Sequence, residues 1–362
     1  MAMGNGGRDE RQEASAWVRP EVAAMAGYTP GEQPGERRVI KLNTNENPYP
    51  PGAAVRDALA EAAGSLHLYP EPSAAPLRAQ AAETWNVDPE GIVAGNGSDE
   101  LLTILLRAIV APGQVVAYPS PTYSLYDTLV TIQGARAERV PYGEDWLLPA
   151  DLDQVDARLF FVCNPNAPSG TAIPRERIET LLHAQPNAVV VVDEAYGDFS
   201  EVSSLPLVGR YPNLVVLRTL SKSYSLAGLR VGLAMTTPAL AAQLHKVRDS
   251  YNLSRPAQAG AIAAMRDAAG FASNRAAILA TRGVLQEALR ARGFVVPESS
   301  ANFVLARRPG EELRSLVEAL STRGVLVRWF ENLPDCIRVS VGTDPEIEEF
   351  LEALDACLAA RA

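Results

Sequence analysis

Between about residues 90 and 236 the chain repeats one pattern: a short apolar run rich in β-branched residues, then a stretch of helical character. Val115-Val116-Ala117-Tyr118 precedes a helical stretch at about 122–131, and Leu159-Phe160-Phe161-Val162-Cys163 precedes one at 174–183. Runs at 188–192, 214–217 and 231–235 continue the series. A strand with one face in water alternates apolar and polar residues. A strand apolar at every position has to be covered on both faces, as in the mainly parallel sheet of an α/β domain. In such a sheet, ligand-binding groups collect just past the carboxyl ends of the strands. Polar residues stand at three successive ends here: Asn164 and Asn166, then Asp193 and Tyr196, then Ser221 and Lys222. Three such sets predict a pocket.

The remainder of the chain reads differently. A helical stretch at 275–292 is followed by Phe294-Val295-Val296 and a run at 302–305. Then come a helix at 311–323, runs at 325–328 and 337–341, and a helix at 345–358. This pattern predicts a smaller α+β domain. The expected organisation is an N-terminal arm over 1–40, a large domain over 41–268 and a small C-terminal domain over 269–362. The first residues, MAMGNGGRDERQEASAW, lack the apolar core of a signal peptide and read as a disordered start. Nothing approaches the ~20 apolar residues of a membrane span.

Composition excludes some classes of function. A formal charge of −10 over 362 residues argues against a nucleic-acid binder, which would show a basic face. Cys163, Cys336 and Cys357 are far apart, as are His67, His183 and His245. No zinc site or disulfide framework follows, and a reducing, cytoplasmic location is expected. Lysine occurs only at 41, 222 and 246, so 30 of the 33 basic residues are arginine. Chemistry that needs an amine has three candidates.

Lys222 lies in SKSYSLAGLR, residues 221–230. It is either a solvated turn residue or an amine that condenses with an aldehyde cofactor and then acts as a base. Asp193 ends the run AVVVVDEAY, and a carboxylate there needs a cationic or strongly donating partner. That partner is either an arginine or the protonated ring nitrogen of pyridoxal 5'-phosphate (PLP), which the carboxylate would keep protonated. Tyr196 could donate to that ring's phenolic oxygen, while Glu194, facing the other way, reads as a packing or solvent residue. In GNGSDELLTILLRAIV (95–110), Ser98 has the character of a helix N-cap, and glycines before a helix start expose N–H groups that suit a phosphate. The stretch is neither GxGxxG nor a Walker loop, so dinucleotide and P-loop readings lose support.

Together these stretches resemble the fold type I, aspartate-aminotransferase-like PLP enzymes, and within them the histidinol-phosphate aminotransferases. The likeness runs from about Tyr28 to the C-terminus. It is carried by KLNTNENPYPP (41–51), LYPEP (68–72), GNGSDELL (95–102), YPSPTYSLY (118–126), CNPNAPSG (163–170), VVDEAYGDF (191–199), SKSYSLAGLRVG (221–232), SANFVL (300–305) and CIRVSVGT (336–343), in that order. The resemblance implies a seven-stranded, mainly parallel sheet in the large domain. It makes Lys222 the Schiff-base lysine, Asp193 the partner of the ring nitrogen and Tyr196 the donor to the ring oxygen. Tyr123 matches the aromatic that stacks on the ring; Ser98, Asp99, Ser221 and Arg230 match the phosphate-binding groups. Tyr69 matches a tyrosine that reaches the cofactor phosphate of the neighbouring subunit, which implies a homodimer. Tyr28, Arg328 and Arg338 match residues that receive the substrate's phosphate, and Asn47 is assigned to substrate binding with them. One position departs from the family: Ala167 stands where an asparagine often bonds the ring oxygen, so either Asn166, one residue earlier, takes that role through a slightly different loop, the favoured reading, or Tyr196 carries it alone.

The implied reaction is amino transfer between L-histidinol phosphate and 2-oxoglutarate, giving imidazole-acetol phosphate and glutamate, with Lys222 as the base for the Cα proton. The alternatives are an aromatic amino-acid aminotransferase and, in another reaction class, a PLP decarboxylase acting on an amino-acid phosphate.

Overall fold

The computed structural model describes residues 17–25, 27, 32, 33 and 38–361. Most of the expected N-terminal arm, including Tyr28, lies outside the described residues. The strands described are β1 (Ile40–Lys41), β2 (Ile92–Asn96), β3 (Val115–Ser120), β4 (Arg136–Pro141), β5 (Leu159–Cys163), β6 (Val189–Asp193), β7 (Leu214–Thr219), β8 (Val231–Met235), β9 (Phe303–Arg307), β10 (Val325–Leu326), β11 (Arg328–Phe330) and β12 (Leu333–Ser340).

Seven of them form one sheet in the order β2-β8-β7-β6-β5-β3-β4. Neighbours from β4 to β7 pair in parallel, and only β8 runs against both of its neighbours. The all-apolar runs are the reason for this placement. Side chains alternate across a strand, so Phe160, Val162, Val190, Val192 and Val216 enter one core. Leu159, Phe161, Val191, Val215 and Leu217 enter the core on the opposite face. Helices cover both faces, which removes any need for polar alternation.

A second, three-stranded antiparallel sheet, β11-β12-β9, packs with the helices Ala268–Ala291, Arg314–Thr322 and Asp344–Ala359 around a third core. Leu42 belongs to that core, and β1 pairs in parallel with β10, so residues 40–42 join the C-terminal layer. The expected strand at 294–296 is reduced to a single bridge between Val295 and Arg307. The expected strand at 325–328 is split at Val327 into β10 and β11, which belong to different sheets. Among the described residues no helix is long and apolar enough to cross a membrane.

Strand direction positions the site. Asp193 closes β6, Cys163 closes β5 and Thr219 closes β7, all at the carboxyl edge of the parallel strands. Because β8 is antiparallel, its amino end, and Arg230 just before it, reaches the same edge. The start of the helix Ser98–Ile109 arrives there from β2, and two glycines permit the approach. A Cβ on Gly232 would lie 2.5 Å from the backbone of Gly97 and Ser98; Gly97 itself has φ +82° with the Arg230 guanidinium 2.5 Å from its Cβ position. Gly232→Ala is therefore expected to push the helix start off the sheet and cost about 1–3 kcal/mol, as overpacking does. A thermal melt equal to the parent's would contradict this close approach.

Candidate active site

At that edge lies a cavity of about 570 Å³ whose wall includes Ser98, Asp99, Tyr123, Asp193, Tyr196, Ser221, Lys222, Arg230, Arg328 and Arg338. The sequence-predicted residues thus converge from six separate segments. Four do not reach the wall or cannot be placed on it: Asn47, Asn166 and Tyr69 lie elsewhere, and Tyr28 is outside the described residues.

Asp193 is the buried acid of the site, 2% exposed. Its carboxylate accepts from the Tyr126 hydroxyl at 2.9 Å and from the Ala195 N–H at 3.2 Å. Tyr126 is itself held by stacking on Phe161, centroids 4.7 Å apart. Burial pushes the Asp193 carboxyl up to about 6, against the pull of those two donors. No arginine contacts Asp193 in the described hydrogen bonds, so of the two partners left open by the sequence, the structural ion pair is absent among the described residues.

Lys222 follows β7 and turns into the cavity. Its Nζ donates to the Thr44 carbonyl at 3.3 Å and stands 5.9 Å from the centre of the Tyr196 ring. Burial, reinforced by the nearby Arg338 charge, brings its amine down to about 8. The turn reading, a solvated lysine, does not hold. The Tyr196 hydroxyl accepts from Asn45 Nδ2 at 3.0 Å, and burial raises it to about 12, so it remains a donor at neutral pH.

At the helix start, Asp99 accepts from Arg230 Nη2 at 2.9 Å and from the Tyr123 hydroxyl at 3.2 Å. Arg230 Nη1 also reaches Ser221 Oγ at 3.5 Å, and Arg230 adopts φ +53°. A helix N-terminus, a guanidinium and two hydroxyls around one corner make an anion seat. On the opposite wall, Arg328 and Arg338 are direct partners across β11 and β12. Arg338 donates to the Asn43 carbonyl at 3.2 Å and lies over the rings of Phe303 and Phe330, at 5.1 and 5.4 Å.

The structure corrects the expectations for Asn166 and Asn47 and places Glu194 and Tyr69. Asn166 is fully buried, its amide occupied by Thr122 at 2.8 Å and Ser169 at 3.0 Å, and Ala167 faces the cavity instead. Asn47 serves the backbone: its Nδ2 donates to the carbonyls of Lys222 and Ser223 at 2.9 and 3.2 Å. Glu194 is 1% exposed and paired with Arg218, whose Nη2 lies 2.8 Å away. Tyr69 is 76% exposed and stacks on Tyr251, with centroids 4.6 Å apart. Residue-type reasoning missed Asn43, Thr44, Asn45 and Tyr126. They lie inside KLNTNENPYPP and YPSPTYSLY, so the signal was the motif and not any single side chain.

The family model for "Aminotransferase class I and II" matches residues 37–354. The chain belongs to that family. This aminotransferase is 43% identical to the histidinol-phosphate aminotransferase of Synechocystis sp., over 93% of its own length and 97% of the relative's. It is 44% identical to that of Syntrophotalea carbinolica, over 93% and 98%. The histidinol-phosphate aminotransferase of Sinorhizobium meliloti, solved in complex with pyridoxal-5'-phosphate, superposes with a TM-score of 0.88 at 28% identity, covering 95% of this chain and 98% of that one. A Thermus thermophilus aspartate aminotransferase variant shares the fold, with a TM-score of 0.80 at 22% identity over 94% and 99%.

The shifted Asp193 predicts a pH signature in the cofactor-free protein. With its pKa raised from 3.8 to about 6, the carboxyl weakens the folded state as pH rises through that window, by on the order of 3 kcal/mol once above it. Asp193→Asn removes this term. The variant should gain thermal stability over the parent as pH rises from 4 to 6.5 and keep a constant advantage above that. An advantage that does not grow with pH would show that Asp193 titrates normally.

Proposed function

We propose that this aminotransferase holds pyridoxal 5'-phosphate in the cavity and transfers the amino group of L-histidinol phosphate to 2-oxoglutarate, giving imidazole-acetol phosphate and glutamate. The observation that carries the cofactor reading is the pair Asp193 and Lys222, a buried acid and a buried amine on adjacent strand ends facing one cavity. The residues fit the cofactor chemically. Asp193 lacks a cationic partner among its described hydrogen bonds, and a protonated ring nitrogen would supply one. Ser98, Ser221, Arg230 and the helix N-terminus suit its phosphate; Tyr123 would stack on the ring; Tyr196 would bond the ring oxygen. Ala167 offers no side-chain donor there, so that role falls to Tyr196 alone.

When bound, the cofactor withdraws electrons from the substrate Cα and so makes its C–H acidic. The chain supplies the rest. Lys222 Nζ, brought down to about 8, is partly neutral at physiological pH and takes the Cα proton as a general base. The Thr44 carbonyl gives that amine a resting place within the cavity. Tyr126 and the Ala195 N–H orient the Asp193 carboxylate, and Asn45 fixes the Tyr196 hydroxyl. Arg328 and Arg338 would take the substrate phosphate in one half-reaction and a glutamate carboxylate in the other, since a guanidinium fork accepts either. The substrate assignment rests on those arginines and on the relatives' names. A second reading, an aromatic amino-acid aminotransferase, draws on Trp329 and Phe330 in the same wall. The scattered cysteines suit a cytoplasmic setting.

The test is one half-reaction. PLP-loaded protein mixed with L-histidinol phosphate, without keto acid, should convert stoichiometrically to the pyridoxamine phosphate form. Lys222→Ala should abolish the conversion, and Arg338→Ala should slow it by ~10- to 100-fold through loss of a charge-assisted contact. Conversion by phenylalanine but not by histidinol phosphate would favour the second reading.

We propose further that the enzyme is a homodimer in which Tyr69, exposed and outside its own chain's cavity, completes the neighbouring phosphate seat. Tyr69→Ala and Lys222→Ala would each lack activity alone. Mixed dimers of the two should regain it, because one of their two sites has both residues. No recovery on mixing would place Tyr69 outside catalysis.

A further inference from the structure

Behind the cavity, and outside its wall, lies a buried ionic cluster. Arg218, 4% exposed, contacts Glu194 through Nε at 3.1 Å and Nη2 at 2.8 Å, and its Nη1 pairs with Asp198. Gly197 lets the turn Gly197–Phe199 lie directly on the guanidinium, since a Cβ there would meet Arg218 Cζ at 2.9 Å. The second oxygen of Asp198 accepts from the Ser223 hydroxyl at 2.5 Å, and Ser223 is 3% exposed. Ser223 adjoins Lys222, and Asn47 holds the carbonyls of both.

We propose that Asp198 is a positioning residue which, through the Ser223 hydroxyl, fixes the peptide that carries Lys222. The inference rests on the reading of Lys222 as the base. That amine must leave its resting contact with Thr44 and reach a substrate carbon, while its backbone stays still. A displacement of about 1 Å at a reacting group can cost ~100-fold in rate. Asn47 anchors the carbonyls from one side, and Asp198 anchors the neighbouring side chain from the other. Arg218 pairs with the Asp198 carboxylate and aims it, so the anchor is tied to the sheet through β7. A loosened peptide would let Lys222 sample water, relieving the burial that depresses its pKa. The charged groups facing the amine are Arg338 from β12, Arg230, Glu46 from the segment after β1, and Asp99 from the helix start. Tyr196 faces it with its ring. None of these changes in a Ser223 variant.

Two variants separate positioning from plain stability. Ser223→Ala deletes the link; Asp198→Asn keeps an oxygen to accept from Ser223 but removes a charge from Arg218. In cofactor-free full-length protein, limiting acetic anhydride labels amines in proportion to their neutral fraction, and besides the α-amino group only Lys41, Lys222 and Lys246 compete. Ser223→Ala should raise the labelling midpoint of Lys222 by ~0.5 unit or more with Lys41 and Lys246 unmoved, because burial is the main cause of the depression. In PLP-loaded protein the same variant should remove the Cα proton of an amino donor ~10-fold more slowly, with donor affinity within ~2-fold. Asp198→Asn should melt at a lower temperature yet keep the parent's labelling midpoint and nearly its rate. Ser223→Ala with the parent's midpoint and rate, while Lys222→Ala is dead, would overturn the positioning role and leave the base assignment intact. Rate losses in both variants that simply track melting temperature would also overturn it. A parent protein that converts no amino donor would overturn both.

Discussion

The site depends on one carboxylate at the dry end of a strand. Asp193 closes a run of four valines, and the two cores that cover that strand on both faces also strip water from the acid. Two donors, Tyr126 and the Ala195 N–H, keep it oriented but do not neutralise it. The adjacent strand end delivers Lys222 to the same cavity, and burial acts on it in the opposite sense. The acid rises and the amine falls, so both move toward neutrality for a single reason: low dielectric disfavours charge of either sign. On the proposed reading, a cavity with an acid lacking a cation and an amine pushed toward its neutral form has a defined complement. It is a cationic heterocycle that carries an aldehyde.

The neighbouring residue shows the contrast. Asp193 and Glu194 are consecutive and face opposite ways, as an extended chain requires. Glu194 meets Arg218 and is fully compensated, with Ser203 and the Ser204 N–H completing its shell. One carboxylate has its charge matched within the protein; the other is left unmatched among the described hydrogen bonds, and it is the one the proposed function uses. Arg218 also reaches Asp198, so the compensated acid belongs to the assembly that braces the lysine loop from behind. The uncompensated and compensated halves of one dipeptide thus serve the front and the back of the same site.

Much of this was legible in the sequence because burial writes a strong pattern. The strands Leu159–Cys163 and Val231–Met235 match the apolar runs residue for residue, and two of the three polar sets at strand ends, Asp193 with Tyr196 and Ser221 with Lys222, line the cavity, whereas Asn164 and Asn166 are buried beside it. What was not legible has physical reasons. Glu194 could not be assigned a partner because Arg218 lies 24 positions away on another strand. Asn166 turns away from the cavity and Ala167 lines it because the loop that holds both is tied by the contacts of Asn166 with Thr122 and Ser169, not by local spacing. Val327 breaks an apolar run whose two halves belong to different sheets, and periodicity carries no record of which sheet a short run will join. The helix Ala268–Ala291 begins seven residues before the expected 275, because its first turn is capped by Asp267 instead of being marked by apolar spacing.

The far wall of the cavity poses an electrostatic problem that bears on the substrate. Arg328 and Arg338 are cross-strand partners, and like charges directly opposite one another weaken a sheet. The aromatic faces of Phe303 and Phe330 and the Asn43 carbonyl offset part of that repulsion. An anion with oxygens on two sides can accept from both guanidinium groups at once and turn the repulsion into attraction, and a phosphate does so more completely than a carboxylate because it carries more charge. On the proposed function, binding at this wall would grow with the charge of the substrate's distal group. That gradient would separate a phosphorylated amino donor from an aromatic amino acid on the same scaffold, even where Trp329 and Phe330 would accept the ring of either.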